Sequence, residues 1–322
     1  MKIQTLCKRI ISLTLIGTLA FSLCGCSVDR KKDQAAYRAY GITCLQDGQY
    51  EEAVEAFQRA LDQSRGQVGE TEIDTCYYKA EAQFLNGDYE GAITTYTAVV
   101  DYNGDATAYF LRGCAYFKME QWEEGLADFR AGVAADDDNY ELYIGIYEVL
   151  AASQMEGEAQ SYLNQALDIR GDKAYDKMQK GRIYLLLGEY DSAIAALKDA
   201  VERGNREANY YLGEAYSEYG DAELAEECYK LYLDSGVADS EGLYGMGERR
   251  MQKGDYEGAL VYFNSAMEME NVTNKQELMR AMIIAYEKSG DFDTAKTMMA
   301  EYVELYPADE EAQRENIFLQ TR

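Results

Sequence analysis

The sequence predicts an all-α chain: a solenoid of about eight helical hairpins, closed by one further helix at its C-terminal end. Three observations point there. Apolar residues recur at spacings of three and four in short paired segments, small residues return at fixed places in each pair, and the pairs repeat about every 34 residues. Residues 243–267 show the unit most clearly. Leu243, Met246, Gly247 and Arg250 fall at helical spacing. Gly254 and Asp255 then interrupt it as a helix end and turn do, and Tyr256, Ala259, Leu260, Phe263 and Ala266 form a second apolar stripe.

Sliding this template along the chain gives a first small column of Gly41, Ala80, Gly113, Tyr147, Gly181, Gly213, Gly247 and Ile283. A second column reads Ala53, Ala92, Gly125, Ala159, Ala193, Ala225, Ala259 and Ala295. The turn carries Gly48, Gly87, Gly188, Gly220, Gly254 and Gly290, with Glu120 in that place in the third hairpin and an irregular fourth. A large column in the second helix reads Phe57, Tyr96, Phe129, Leu163, Leu197, Tyr229, Phe263 and Met299. Glycine within a helix costs about 1 kcal/mol relative to alanine, so the glycines of the first column predict a close approach of two helices. Hairpins begin near Gln34, Ile73, Ala106, Tyr140, Ala174, Arg206, Ser240 and Gln276. The longer connection from Gln63 to Gly69 is either an extended helix or a loop.

On these columns, with an aromatic between the small places and Pro307 closing the last unit, the chain resembles the tetratricopeptide repeat family. The resemblance implies a right-handed superhelical solenoid over residues 34–307, with residues 308–322 as the cap. It also implies a concave surface, lined by the first helix of each hairpin, that holds an extended peptide or a partner's helix. The fourth hairpin departs most, since Tyr147 fills a place the family gives to a small residue.

The N-terminal end is a different material. Lys2, Lys8 and Arg9 precede an apolar run from Ile10 to Cys24, short of the ~20 residues a spanning helix needs. Leu23-Cys24-Gly25-Cys26 resembles the cleavage box of bacterial lipoproteins. That resemblance implies a signal peptide over residues 1–25, a diacylglycerol-bearing Cys26 and a short tether over 26–33, placing the protein on the extracytoplasmic face of a cell membrane. A plain cleaved signal and an uncleaved anchor are the alternatives. Arg30, Lys31 and Lys32 either face anionic lipid or are a solvated linker.

With 31 basic and 58 acidic residues, the net charge is −27, which repels phosphate and argues against nucleic-acid binding. There is no histidine, which removes Ser-His-Asp and Cys-His arrangements and imidazole metal ligands. No phosphate loop, dinucleotide fingerprint or cysteine pair motif is present, so neither an enzyme nor a cofactor is implied. Asp136-Asp137-Asp138-Asn139 lacks the spacing of a calcium loop and reads as a capped turn. Cys228 is too far along the solenoid from the other body cysteines to pair and is expected as a buried free thiol. Ala312, Ile317 and Leu319 are expected to cover the last hairpin.

Function is then expected on the inner face. Tyr77, Phe110, Tyr210 and Tyr244 recur at one position there, and Glu81, Glu214 and Glu248 stand one turn beyond three of them. Such aromatic platforms flanked by carboxylates suit a protein partner with a basic or amphipathic segment, held by stacking, cation–π contact and charge. The tyrosines packing between repeats, with solvated glutamates, is the other reading. Some members of the family clamp a C-terminal carboxylate with Lys, Arg and Asn, but the corresponding places here are acidic or aromatic. The whole predicts a membrane-tethered scaffold, with envelope assembly as one setting. A binding module for a cell-wall glycan or another non-protein ligand is the alternative.

Overall fold

The computed structural model describes residues 25–307 and 309–320, and all the regular structure in them is helical. The basic and apolar leader and the residues around Leu23 lie outside the described residues. The chain divides into two compact units, residues 1–170 and 171–322.

In the first unit, α1 (Gly25–Gln46) pairs with α2 (Tyr50–Asp62), α3 (Glu70–Leu85) with α4 (Tyr89–Asn103), α5 (Ala106–Lys118) with α6 (Trp122–Ala135), and α7 (Tyr140–Ala152) with α8 (Glu156–Leu167). In the second, α9 (Ala174–Leu186) pairs with α10 (Tyr190–Glu202), α11 (Ala208–Tyr219) with α12 (Ala222–Asp234), α13 (Ser240–Gln252) with α14 (Tyr256–Met267), and α15 (Lys275–Ser289) with α16 (Phe292–Leu305); α17 (Glu310–Gln320) packs on α16. Residues 26–33, expected as a tether, run as the opening turns of α1, and the connection between the first two hairpins is a loop with Arg65 and Gly66 at φ 52° and 79°.

The turn explains why each hairpin folds back. Gly254 has φ 75°, and the amide of Asp255 returns to the carbonyl of Arg250 at 2.9 Å, closing the end of α13. The Asp255 carboxylate then accepts the Gly258 amide at 2.9 Å and starts α14. Asp88, Asp221 and Asp291, each following a turn glycine, cap α4, α12 and α16 in the same way. Two hairpins reach this backbone conformation without glycine, through Glu120 at φ 59° and Gln154 at φ 62°.

The two columns interlock. A Cβ on Gly41 would stand 2.7 Å from the Phe57 ring, on Gly113 2.5 Å from Phe129, and on Gly213 2.5 Å from Tyr229; one on Gly181 or Gly247 would overlap Leu197 or Phe263. The absent side chain of the first helix is therefore the seat of the large side chain of the second. Phe57, Phe129 and Phe263 are fully buried there, each stabilising the fold by about 1.5–3 kcal/mol through removal of apolar surface from water.

The last helix corrects one expectation. Ala312 and Leu319 are buried against the last hairpin, but Ile317 is 69% exposed. Residues seven apart share a helix face, whereas Ile317 lies two residues, about 200°, from Leu319 and so points outward. Among the described residues no helix is long and apolar enough to cross a membrane.

Candidate functional site

The position occupied by Tyr77, Phe110, Tyr210 and Tyr244 lies in the middle of each first helix, and packing decides how much of each ring is left for a ligand. In the first unit little is left. Phe110 is fully buried and stacks on Phe129 at 5.7 Å between ring centroids, so it offers no platform. Tyr77 is half-buried, its ring tilted against Tyr96 and its hydroxyl donating to Asp105 at 2.6 Å. Asp105 in turn caps α5 through the Ala108 amide, so Tyr77 ties the second hairpin to the start of the third. Burial first, and the Asp105 carboxylate second, push the Tyr77 phenol well above its ordinary range. Glu81 is 9% exposed.

In the second unit the tyrosines of this column are also partly buried. Tyr210 rests against Tyr211, Tyr229 and Tyr232 at 5.0, 6.2 and 5.5 Å, and its hydroxyl sits where a side chain on Gly245 of α13 would be. Burial raises its pKa strongly, followed by the negative charge of Glu214. Tyr244 is half-buried and tilts over Phe263 at 5.8 Å. The structure thus brings Tyr210, Tyr244 and Glu248 together on α13 and its neighbour α11, since Gly245 under the Tyr210 hydroxyl is three residues from Glu248.

The glutamates differ in their surroundings. Glu214 forms an ion pair with the Arg249 Nε and accepts from the Tyr229 hydroxyl at 3.3 Å. Burial works against the charge on Arg249, but the Glu214 carboxylate outweighs it and raises the guanidinium pKa. Glu248 is half-buried, and burial alone raises its carboxyl pKa; among the described residues no hydrogen bond or ion pair reaches it.

Four arginines with no motif of their own complete the picture. Arg38 pairs with Asp74 and lies 5.2 Å over the Tyr78 ring, and Arg112 grips Asp128 through two 2.7 Å bonds while reaching Thr97. Arg182 lies 4.9 Å over Tyr211, and Arg280 pairs with Glu315 at 2.7 Å and covers Tyr302. All four, and Arg249, join one hairpin to a neighbour or to the cap. Their sequence signal is an acidic or aromatic residue about one period away, as in Arg38 with Asp74 and Glu214 with Arg249.

Asn139 caps α7 through the Leu142 amide and donates to Asp136 at 2.8 Å, which accounts for the acidic run there as a turn. Among the described residues no group of three or more carboxylates and cysteines is placed to hold a metal ion. Cys44, Cys76, Cys114 and Cys228 are free thiols, and Cys228 is buried with its pKa pushed up to about 11, chiefly by that burial. The arrangement presents aromatic edges and carboxylates, groups suited to contact with a cationic or apolar surface.

Family models described as tetratricopeptide repeat match residues 45–112, 178–240 and 278–309. The DnaJ homolog subfamily C member 3 of Gallus gallus is 25% identical over 268 residues, 71% of this chain and 50% of the relative. The TPR repeat-containing protein YpiA of Bacillus subtilis (strain 168) is 20% identical over 275 residues, 74% of this chain and 64% of the relative. The chain spans about half the length of the first of these and of its counterparts in other vertebrates. Among solved structures, yeast Tom70 superposes with a TM-score of 0.64 at 14% identity, covering 99% of this chain and 69% of Tom70, a likeness of fold.

Proposed function

Because this chain carries tetratricopeptide repeats through both of its units, we propose that it is a non-catalytic scaffold that holds a protein partner against the first helices of its second unit. The observation that supports this most is the aromatic with a glutamate one turn on at Tyr244/Glu248 on α13, where no hydrogen bond or ion pair among the described residues engages the glutamate. An acidic chain with such a face suits a basic or amphipathic segment. The membrane tether through a lipid on Cys26, on the extracytoplasmic side of a bacterial envelope, is part of the same proposal and rests on the residues around that cysteine.

Photo-crosslinking tests the binding face. A photoreactive residue at Gln252, exposed near the end of α13, is expected to form a protein adduct in cells, and one at Val261, 63% exposed on α14, is not. Adducts at Val261 alone would move the interaction to the second helices and overturn the assignment. Labelling with a fatty-acid analogue tests the tether: incorporation is expected in the wild type and absent in Cys26→Ser, and equal labelling of the two contradicts it.

A further inference from the structure

Glu214 and Glu248 stand at the same place in successive first helices, each one residue past the glycine that seats the hairpin's large ring. Their surroundings differ in one respect. Glu214 is met by Arg249, which stands two residues past Gly247 in the next hairpin. Two residues past Ile283, the same column in the last hairpin, stands Ala285, which is fully buried. Glu248 therefore stands at the place Glu214 occupies, without the cation that faces Glu214.

Among the described residues the arginines of α13 and α15 are all engaged with other carboxylates. Arg249 is engaged with Glu214 and Glu218, Arg250 with Glu226 and Asp255, and Arg280 with Glu315. A carboxylate that is half withdrawn from water without a compensating charge costs stability, and burial accordingly raises its pKa. The Glu248 carboxylate is complementary in charge to a cation set against it as Arg249 is set against Glu214. The flanking groups are suited to a planar cation: Tyr244 lies one turn before Glu248, and the Tyr210 hydroxyl sits over Gly245 between them.

We propose that Glu248 is the docking point for an arginine side chain of the protein partner, whose guanidinium takes the position that Arg249 holds against Glu214 in the preceding pair of hairpins. This rests on the scaffold reading above and names the chemistry of what that face accepts. It also assigns Glu214 a structural role and Glu248 a recognition role, although sequence alone gives them the same appearance.

Two measurements on the full chain test it. In urea unfolding, Glu248→Gln is expected to raise the midpoint, because an uncompensated charge is removed, and Glu214→Gln to lower it, because Arg249 is left alone. A drop for both variants makes Glu248 a structural residue and overturns the inference. The second measurement uses short amphipathic peptides, each synthesised with arginine, lysine or citrulline at one position. The wild type is expected to favour arginine over citrulline on the order of tenfold, as a charge-assisted pair does, and Glu248→Gln to bind the two alike. An arginine preference that survives in Glu248→Gln overturns the assignment and leaves the scaffold intact. Failure of every peptide to bind overturns both.

Discussion

Replacing Gly113 by alanine adds one methyl group at the crossing of α5 and α6, and its cost follows from what the methyl meets. The Cβ would stand 2.5 and 2.8 Å from two carbons of the Phe129 ring and 3.2 Å from the Gly125 carbonyl oxygen. Ordinary carbon contacts begin near 3.5 Å, so the ring must retreat by about 1 Å. It has nowhere to go, since Phe129 is fully buried between Phe110 at 5.7 Å and Phe117 at 5.1 Å. Overpacking of this kind costs about 1–3 kcal/mol, while the exchange of glycine for alanine within a helix returns up to about 1 kcal/mol. Because a backbone oxygen is also in the way, the net is expected at about 2 kcal/mol of destabilisation. Gly157, exposed in the first turn of α8 with nothing within 4 Å of its added Cβ, serves as the control; Gly157→Ala should stabilise by about 0.5 kcal/mol. The sole tryptophan, Trp122, sits edge-on to Phe117 in the same hairpin as Gly113, so its fluorescence during urea unfolding reports on the affected place. A Gly113→Ala variant as stable as the wild type would refute the interlocking-column account of the hairpin.

Other consequences follow from single residues. Glu120 and Gln154 hold a left-handed backbone that glycine adopts without penalty, so Glu120→Gly and Gln154→Gly should each gain about 1 kcal/mol in the same urea assay. Arg112 and Asp128 form a largely buried pair, and Arg112→Met should cost about 3–5 kcal/mol by leaving the Asp128 charge alone, whereas changing both to apolar residues should cost much less. The raised pKa of Glu248 has a definite sign. Between the ordinary carboxylate pKa and the higher folded value, the native state binds more protons than the unfolded one, so stability falls as pH rises through that window. Thermal unfolding between pH 4 and 7, a range set by ordinary carboxylate pKa values of roughly 4, should show this decline in the wild type and a smaller one in Glu248→Gln.

What was legible in the sequence was whatever repeats at a fixed place for a steric reason. Gly41, Gly113, Gly181, Gly213 and Gly247 mark the helix crossing because no other residue clears the opposing side chain, and Gly254 marks the turn because its backbone is left-handed. The candidate site was legible only as a row of residue types. Tyr77 and Tyr244 share a column, yet the hydroxyl of one is fastened to Asp105, 28 residues along the chain, and the ring of the other tilts over Phe263 in its own hairpin. A helical period places a residue on a face but does not say whether the next hairpin covers that face. The contrast between Glu214 and Glu248 was hidden for the same reason, because it depends on Arg249 and Ala285 in the hairpins that follow.

The most direct test of the scaffold account is hydrogen exchange on the second unit, with and without the protein that crosslinks to it. The account predicts added protection in α11, α13 and α15, strongest in the turn of α13 that carries Tyr244 and Glu248, with α12, α14 and α16 unchanged. Protection confined to α12, α14 and α16 would contradict it, since the partner would then sit on the second helices and the Tyr210, Tyr244 and Glu248 side chains would serve the fold alone.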